Sequence, residues 1–193
     1  MIRVATEADI PAMLALYAPY VENTTITFEY DVPCRNEFTR RFHTITENYP
    51  WLVWEEDGAI WGYAYASRPF PRAAYSWCVE PSIYLRPEAQ GRGIGRKLYT
   101  ALEEVLKIQG FQVLYAIITQ ENTNSVAFHE KLGYRTLGVF PNCGFKQGRW
   151  LGITWMEKRL ISCDIPNSFP TPFSRLGQDR QRISDILSSL SLS

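Results

Sequence analysis

A strand-like run at residues 79–85 gives way at Gln90-Gly91-Arg92-Gly93-Ile94-Gly95 to a helical pattern, and this junction restricts the fold more than any other stretch. Glycines in such a turn let the backbone bend sharply and come close to a ligand. N–H groups at a helix start, with the helix dipole behind them, make a seat for phosphate. Arg92, Arg96 and Lys97 add positive charge around the same turn. On spacing alone, a glycine-rich helix entry with no ligand is the plain alternative. Two common phosphate loops are excluded: a dinucleotide fingerprint needs glycine where Arg96 stands, and a P-loop needs Gly-Lys-Ser or Gly-Lys-Thr where this chain has Gly95-Arg96-Lys97-Leu98.

Around that junction the apolar period switches repeatedly between strand and helix. Residues 2–5 read as a short strand, followed by a helix that Asp9 caps, with Pro11 in its first turn and Ile10, Met13, Leu14, Leu16 and Tyr17 on one face. A second helix is expected at residues 35–49, with Phe38, Phe42 and Ile45 inward. Residues 51–55 and 60–66 form a hairpin across Glu56-Asp57-Gly58. The strand at residues 77–85 contains Pro81, which removes a ladder donor, so the strand is expected to splay from one neighbour beside the glycine loop. Residues 94–109 are a helix ended by Gly110, and residues 113–118 a fully buried strand. Asn124 or Ser125 caps a short helix running to Leu132, with Gly133 as its stop. Strands at 135–140 and 150–159, joined by a linker at 142–148, complete the pattern. Hairpins mixed with strand–helix–strand units predict an α/β (α+β) domain with a mixed, mostly antiparallel central sheet flanked by helices.

The 193 residues suit one domain, placed at residues 1–160. Residues 161–193 read as a Pro- and Ser-rich tail in which Ile183, Ile186, Leu187 and Leu190 share one helical face. Twenty Lys and Arg balance 20 Asp and Glu, so no global field draws nucleic acid or an anionic membrane, and the local charge near Gly91 suits a small polyanion. Cys34, Cys78, Cys143 and Cys163 show no paired spacing, so no metal site or disulfide framework is expected. The first turns carry Arg3, Glu7 and Asp9, unlike a signal peptide, and no apolar run spans a bilayer; a cytoplasmic protein is expected.

Three signals in order carry a resemblance: the Gln-x-x-Gly-x-Gly loop after a kinked strand, Asn122-x-x-Ser125 opening the next helix, and His129-Glu130-Lys131-Leu132-Gly133-Tyr134 closing it. Together they resemble the GNAT acetyltransferase superfamily, most closely its phosphinothricin or methionine sulfoximine branch. Supporting marks are Thr24-Thr25-Ile26-Thr27-Phe28, Tyr49-Pro50-Trp51-Leu52-Val53, Val79-Glu80-Pro81-Ser82-Ile83-Tyr84 and Gly144-Phe145-Lys146-Gln147-Gly148-Arg149-Trp150. The resemblance implies a metal-free enzyme that transfers the acetyl group of acetyl-CoA directly to a small-molecule amine, with a splayed pair of strands in its sheet. It implies that the pyrophosphate of CoA lies on Gln90, Gly91, Arg92, Gly93, Ile94, Gly95 and Arg96. The pantetheine arm would pair with Ile83, Tyr84 and Leu85 and reach Asn122 and Ser125. Such families are commonly dimers, so a homodimer is expected.

Amine attack on a thioester needs a neutral amine, a stabilised oxyanion and a proton for the leaving thiolate. Glu80, among Trp77, Val79 and Ile83, is the expected base, its burial raising a carboxylate toward a useful range. The alternative is a structural carboxylate paired with backbone or arginine. His129 stands where many relatives have a tyrosine described as the thiolate's proton donor, so the resemblance assigns it to orient the substrate or protonate sulfur. Its alternative is a helix-surface residue with no role. Phe28, Arg72, Tyr75 and Lys146 are the specificity candidates: Arg72 can grip a carboxylate or phosphinate with a forked pair of bonds, Tyr75 can add a hydroxyl, and Phe28 can press on aliphatic groups. Their alternatives are core packing for Phe28 and Tyr75, and solvated loop charges for Arg72 and Lys146. Two other functions remain on this reading: acetylation of another amine, such as a polyamine or protein N-terminus, and a non-catalytic acyl-CoA-binding module.

Overall fold

The computed structural model describes residues 1–162 and 165–192; Cys163, Asp164 and Ser193 lie outside the described residues. Among the described residues seven strands form one sheet: β1 (Ile2–Val4), β2 (Trp51–Glu56), β3 (Ala59–Ser67), β4 (Cys78–Leu85), β5 (Val113–Thr119), β6 (Arg135–Lys146) and β7 (Arg149–Arg159). Their order is β1-β2-β3-β4-β5-β7-β6. Every pairing is antiparallel except β4 with β5. Helices α1 (Ile10–Asn23), α2 (Arg35–Asn48), α3 (Ile94–Gln109), α4 (Thr123–Lys131) and α5 (Arg180–Leu192) flank it.

The parallel pair is what positions the site. β4 meets β5 only at Cys78↔Val113 and Val79↔Leu114, whereas β3 stays on β4 as far as Gly62↔Leu85. Beyond Val79 the two strands part, as Pro81 predicts. Ala66 donates its N–H to Pro50, toward β2, so its partner Pro81 faces away from β3 and needs no ladder donor there. Alternation then turns the peptide groups of Ile83 and Leu85 into the opening.

The sheet has a core on each face. β2 divides its side chains by the strand's period of two: Trp51 and Val53 join α1 and α2, while Leu52 and Trp54 join α3. In α3, Leu98, Leu102, Val105 and Leu106 are fully buried, each contributing roughly 1.5–3 kcal/mol of apolar transfer. The segment expected as a tail packs into this same core through Leu176, Ile183 and Leu187, with α5 against α3 and β1. Ile2 N–H donates to Ser191 Oγ at 2.7 Å, and Trp77 donates its indole N–H to the Ser168 carbonyl at 3.0 Å.

Four local expectations are corrected. Asp9 precedes α1, but its carboxylate turns back to the Thr6 N–H and to Arg3, both at 2.7 Å, rather than onto the helix. Residues 142–146 belong to β6, not to a linker. The strand continues through two irregularities, and the hairpin closes at Gln147 (φ 50) and Gly148 (φ 76), the paired positive angles of a two-residue turn. Asn122, not Asn124 or Ser125, caps α4 by accepting the Ser125 N–H at 3.2 Å. β5 is not buried throughout: Leu114, Ala116 and Ile118 are buried on one face, while on the other Ile117 is exposed between buried Val113 and Thr119 at the ends.

Candidate active site

The parted strands open a cleft of about 530 Å³ whose floor is the glycine turn. Gly91 (φ 75) and Gly93 (φ 77) take left-handed backbone angles that other L-residues adopt only at a cost of about 1–2 kcal/mol. Gly95 matters for a different reason: a Cβ there would stand 3.2 Å from a Leu85 methyl and 3.5 Å from an Ile83 methyl, so the Leu85 side chain would have to shift by a few tenths of an ångström for α3 to stay this close to β4. Gly91, Gly93, Gly95, Gln90 and Arg96 border the cleft at this end; Asn122 and Ser125 border it at the other. No acidic residue occupies the first turn of α3, leaving its positive dipole end uncompensated.

Three of the expected donor-side residues direct their side chains elsewhere. The Arg92 guanidinium donates to both Glu56 oxygens at 2.9 Å and lies 4.7 Å from the Trp61 ring centre, tying the turn to the β2–β3 hairpin. Ile94 is buried in the core. Tyr84 sends its ring into an aromatic cluster with Tyr17, Tyr20 and Tyr63 on the α1 face, so Ile83 and Leu85 supply the main-chain groups at the opening. The Leu85 carbonyl there accepts the Tyr20 hydroxyl at 2.6 Å.

A narrower channel of about 80 Å³ shares Ile26, Ile83, Asn122 and Ser125 with the cleft and is also lined by Glu80, Tyr99 and His129. Burial pushes the Glu80 carboxyl up from its ordinary value. Among the described residues no ion pair holds it. His129 is 3% exposed, so it is not a helix-surface residue. Its Nδ1 lies 2.8 Å from the Ser125 carbonyl, which can only accept, so Nδ1 carries the proton of the neutral ring. Nε2 then accepts the Tyr99 hydroxyl at 3.0 Å. Burial lowers the pKa of His129 and raises that of Tyr99, keeping both neutral near pH 7. Tyr99 escaped the sequence reading because it lies on the buried side of α3, where an aromatic residue reads as packing.

The four specificity candidates are spread over three segments: Phe28 between α1 and α2, Arg72 and Tyr75 before β4, and Lys146 at the end of β6. Phe28 is 37% exposed, with its ring against Gly144. Tyr75 packs on Phe70 at 4.6 Å, and Arg72 precedes the same short turn, Ala73–Tyr75. Lys146 is 4% exposed and donates to the carbonyls of Val21 and Thr27, both at 2.8 Å; it is neither a solvated charge nor open to a ligand along those bonds. No cluster of three or more metal-binding side chains occurs among the described residues. No described helix is long and apolar enough to cross a membrane.

The acetyltransferase (GNAT) domain family matches residues 2–155, which makes the chain an acyltransferase with a glycine turn at the mouth of a parted parallel pair. The chain belongs to that family and is an N-acetyltransferase that uses acetyl-CoA. It is 35% identical over 157 residues to the phosphinothricin N-acetyltransferase of Streptomyces viridochromogenes, covering 81% of this chain and 86% of that protein. It is 36% identical over 161 residues to the L-methionine sulfoximine/L-methionine sulfone acetyltransferase of Pseudomonas aeruginosa, covering 82% and 94%. A crystal structure of the Sinorhizobium meliloti phosphinothricin acetyltransferase with acetyl-CoA superposes with a TM-score of 0.85 at 38% identity, covering 90% of this chain and 96% of the other.

Proposed function

We propose that this enzyme acetylates the α-amino group of a small amino acid analogue of the phosphinothricin or methionine sulfoximine type by direct transfer from acetyl-CoA. The observation that carries the reading is the placement of Glu80 and the Tyr99–His129 pair in one channel that opens onto the glycine turn. The N–H groups at Gly91, Gly93 and Gly95 and the Arg96 side chain would hold the donor's pyrophosphate. Ile83 and Leu85 would pair with its extended arm, with Asn122 and Ser125 on the far side.

The amine enters as ammonium and gives one proton to solvent. Glu80 takes the second as nitrogen attacks the thioester carbon, its raised pKa making it a better base than an exposed carboxylate. The departing sulfur needs one proton back. His129 is neutral at rest; when the proton gathered on Glu80 passes to its ring, Nε2 donates to the Tyr99 oxygen and frees the Tyr99 O–H to protonate the sulfur. Burial makes that imidazolium a ready donor. The proton gathered on Glu80 replaces the one delivered to sulfur, so the pocket returns to its starting state. Phe28, Arg72 and Tyr75 would contact the substrate's side chain and acidic group.

A panel of amino acid analogues, polyamines and N-terminal peptides, assayed by thiol release from acetyl-CoA, tests the substrate class. The proposal requires turnover on methionine sulfoximine or phosphinothricin and is refuted if only another class of amine reacts. We also propose a cytoplasmic homodimer: exposed Val139, Phe145 and Trp150 on β6 and β7 supply an apolar surface for a second copy. A monomer mass by light scattering would exclude the dimer, and recovery outside the cytoplasmic fraction would exclude the location.

A further inference from the structure

Residues 24–30, between α1 and α2, cross the sheet as a strap held down at successive points. The Thr25 carbonyl accepts the Thr119 hydroxyl at 2.6 Å, the Thr27 carbonyl accepts Lys146 Nζ at 2.8 Å, and Tyr30 donates its hydroxyl to the Phe145 carbonyl. Lys146 also bonds the Val21 carbonyl in the last turn of α1, where a cation suits the negative end of the helix. Between these ties the Phe28 ring rests on Gly144. A Cβ at position 144 would stand 2.2 Å and 2.6 Å from two ring carbons, so any side chain there would lift the ring. Ile26, on the same strap, borders both the Glu80 channel and the donor cleft.

We propose that Gly144 and Lys146 are positioning residues that set acceptor selectivity by fixing the height of this strap above β6. Neither touches the amine. Gly144 seats Phe28, Lys146 joins the strap to α1 and β6, and Ile26 and Phe28 then present a fixed apolar wall to the acceptor's aliphatic part. A raised strap would widen the acceptor side and leave the glycine turn where it is. This rests on the acyl-transfer reading above and adds residues that control which amine is accepted.

The test is a double-mutant cycle on full-length protein, with methionine sulfoximine as acceptor and unfolding temperatures recorded for each variant. Gly144→Ala should raise the amine KM roughly 10-fold, because small displacements of a positioning wall are costly, and leave the acetyl-CoA KM unchanged. In a Phe28→Ala background the same substitution should add nothing, since the ring it lifts is gone. Tyr30→Phe removes one exposed tie, leaves the core intact and should raise the amine KM by about 2-fold, which keeps the test alive if Gly144→Ala does not fold. An unchanged amine KM in the folded variants, or effects of Gly144→Ala and Phe28→Ala that simply add, would overturn the strap proposal alone. No turnover of any amine by the unsubstituted enzyme would overturn the acyl-transfer reading and the strap proposal together.

Discussion

The two ends of the Glu80 channel are made from different materials. At the end proposed for the donor the cleft is largely main chain, drawn from nearly contiguous residues: the peptide groups of Ile83 and Leu85, then the turn through Gly91, Gly93 and Gly95. The acceptor side we propose draws instead on side chains from distant segments: Ile26 and Phe28 on a strap that Gly144 and Lys146 seat on β6, and Tyr75 on the loop before β4. A main-chain surface is fixed by strand separation and by glycines, so it is suited to a donor that never changes. A wall of side chains held by long-range bonds can be altered residue by residue without disturbing the sheet, which suits the variable partner.

The sharpest break between the two ends is Glu80→Gln. Turnover should fall by roughly 10²-fold with acetyl-CoA affinity intact. Burial raises the folded-state pKa of Glu80, so its carboxyl stabilises the fold at low pH and that contribution is lost as pH rises through the folded value. The glutamine variant should therefore melt higher than the parent at pH 8, by about 2 °C, with the gap closing in acid. Equal melting at both pH values would show that Glu80 is not a strained buried acid. For the parent, kcat/KM should rise with pH as Glu80 loses its proton; a rate that falls over that limb would remove Glu80 as base.

Next in size, Lys146→Met leaves two buried carbonyls without their donor and should cost about 2 kcal/mol of stability in chemical denaturation. It should also weaken amine binding while sparing acetyl-CoA. Loss of acetyl-CoA binding alone would invert the division drawn between the two ends. Asn122→Ala removes the α4 cap at a cost of about 1 kcal/mol and, because Asn122 borders both cavities, should raise both KM values. Smallest is Glu56→Gln, which loosens the exposed Arg92 tether; a change below about 1 kcal/mol in acetyl-CoA binding is expected, disappearing at high salt.

The structure around the glycine turn was legible because its requirements are local. Glycine spacing, Pro81 in a strand and the 3.6-residue period of residues 94–109 each follow from the backbone of a short stretch, and α3 lies where that period places it. The two hairpins read less evenly. Residues 51–66 alternate cleanly, whereas β6 has exposed residues over most of its length and two irregularities, so no period of two marks residues 142–146 as strand. Tyr99 and the strap ties were hidden for a related reason. Tyr99 occupies an apolar-face position in α3, and the bonds from Lys146 reach back across about 120 residues to Thr27, a closeness that no spacing along the chain records. His129 showed its type but not its partners, and its tautomer follows only from the Ser125 carbonyl and the Tyr99 hydroxyl on either side.

The claim on which the rest depends is that the main chain of the Gly91–Gly93 turn holds the donor. Calorimetric titration of acetyl-CoA into the unsubstituted protein and into Gly91→Ala/Gly93→Ala tests it directly, with far-ultraviolet circular dichroism checking that both are folded. The account predicts binding by the parent and affinity at least about 10-fold weaker in the folded double variant, as side chains strain both left-handed positions and tilt the N–H groups. Equal affinity in the two folded proteins would contradict it.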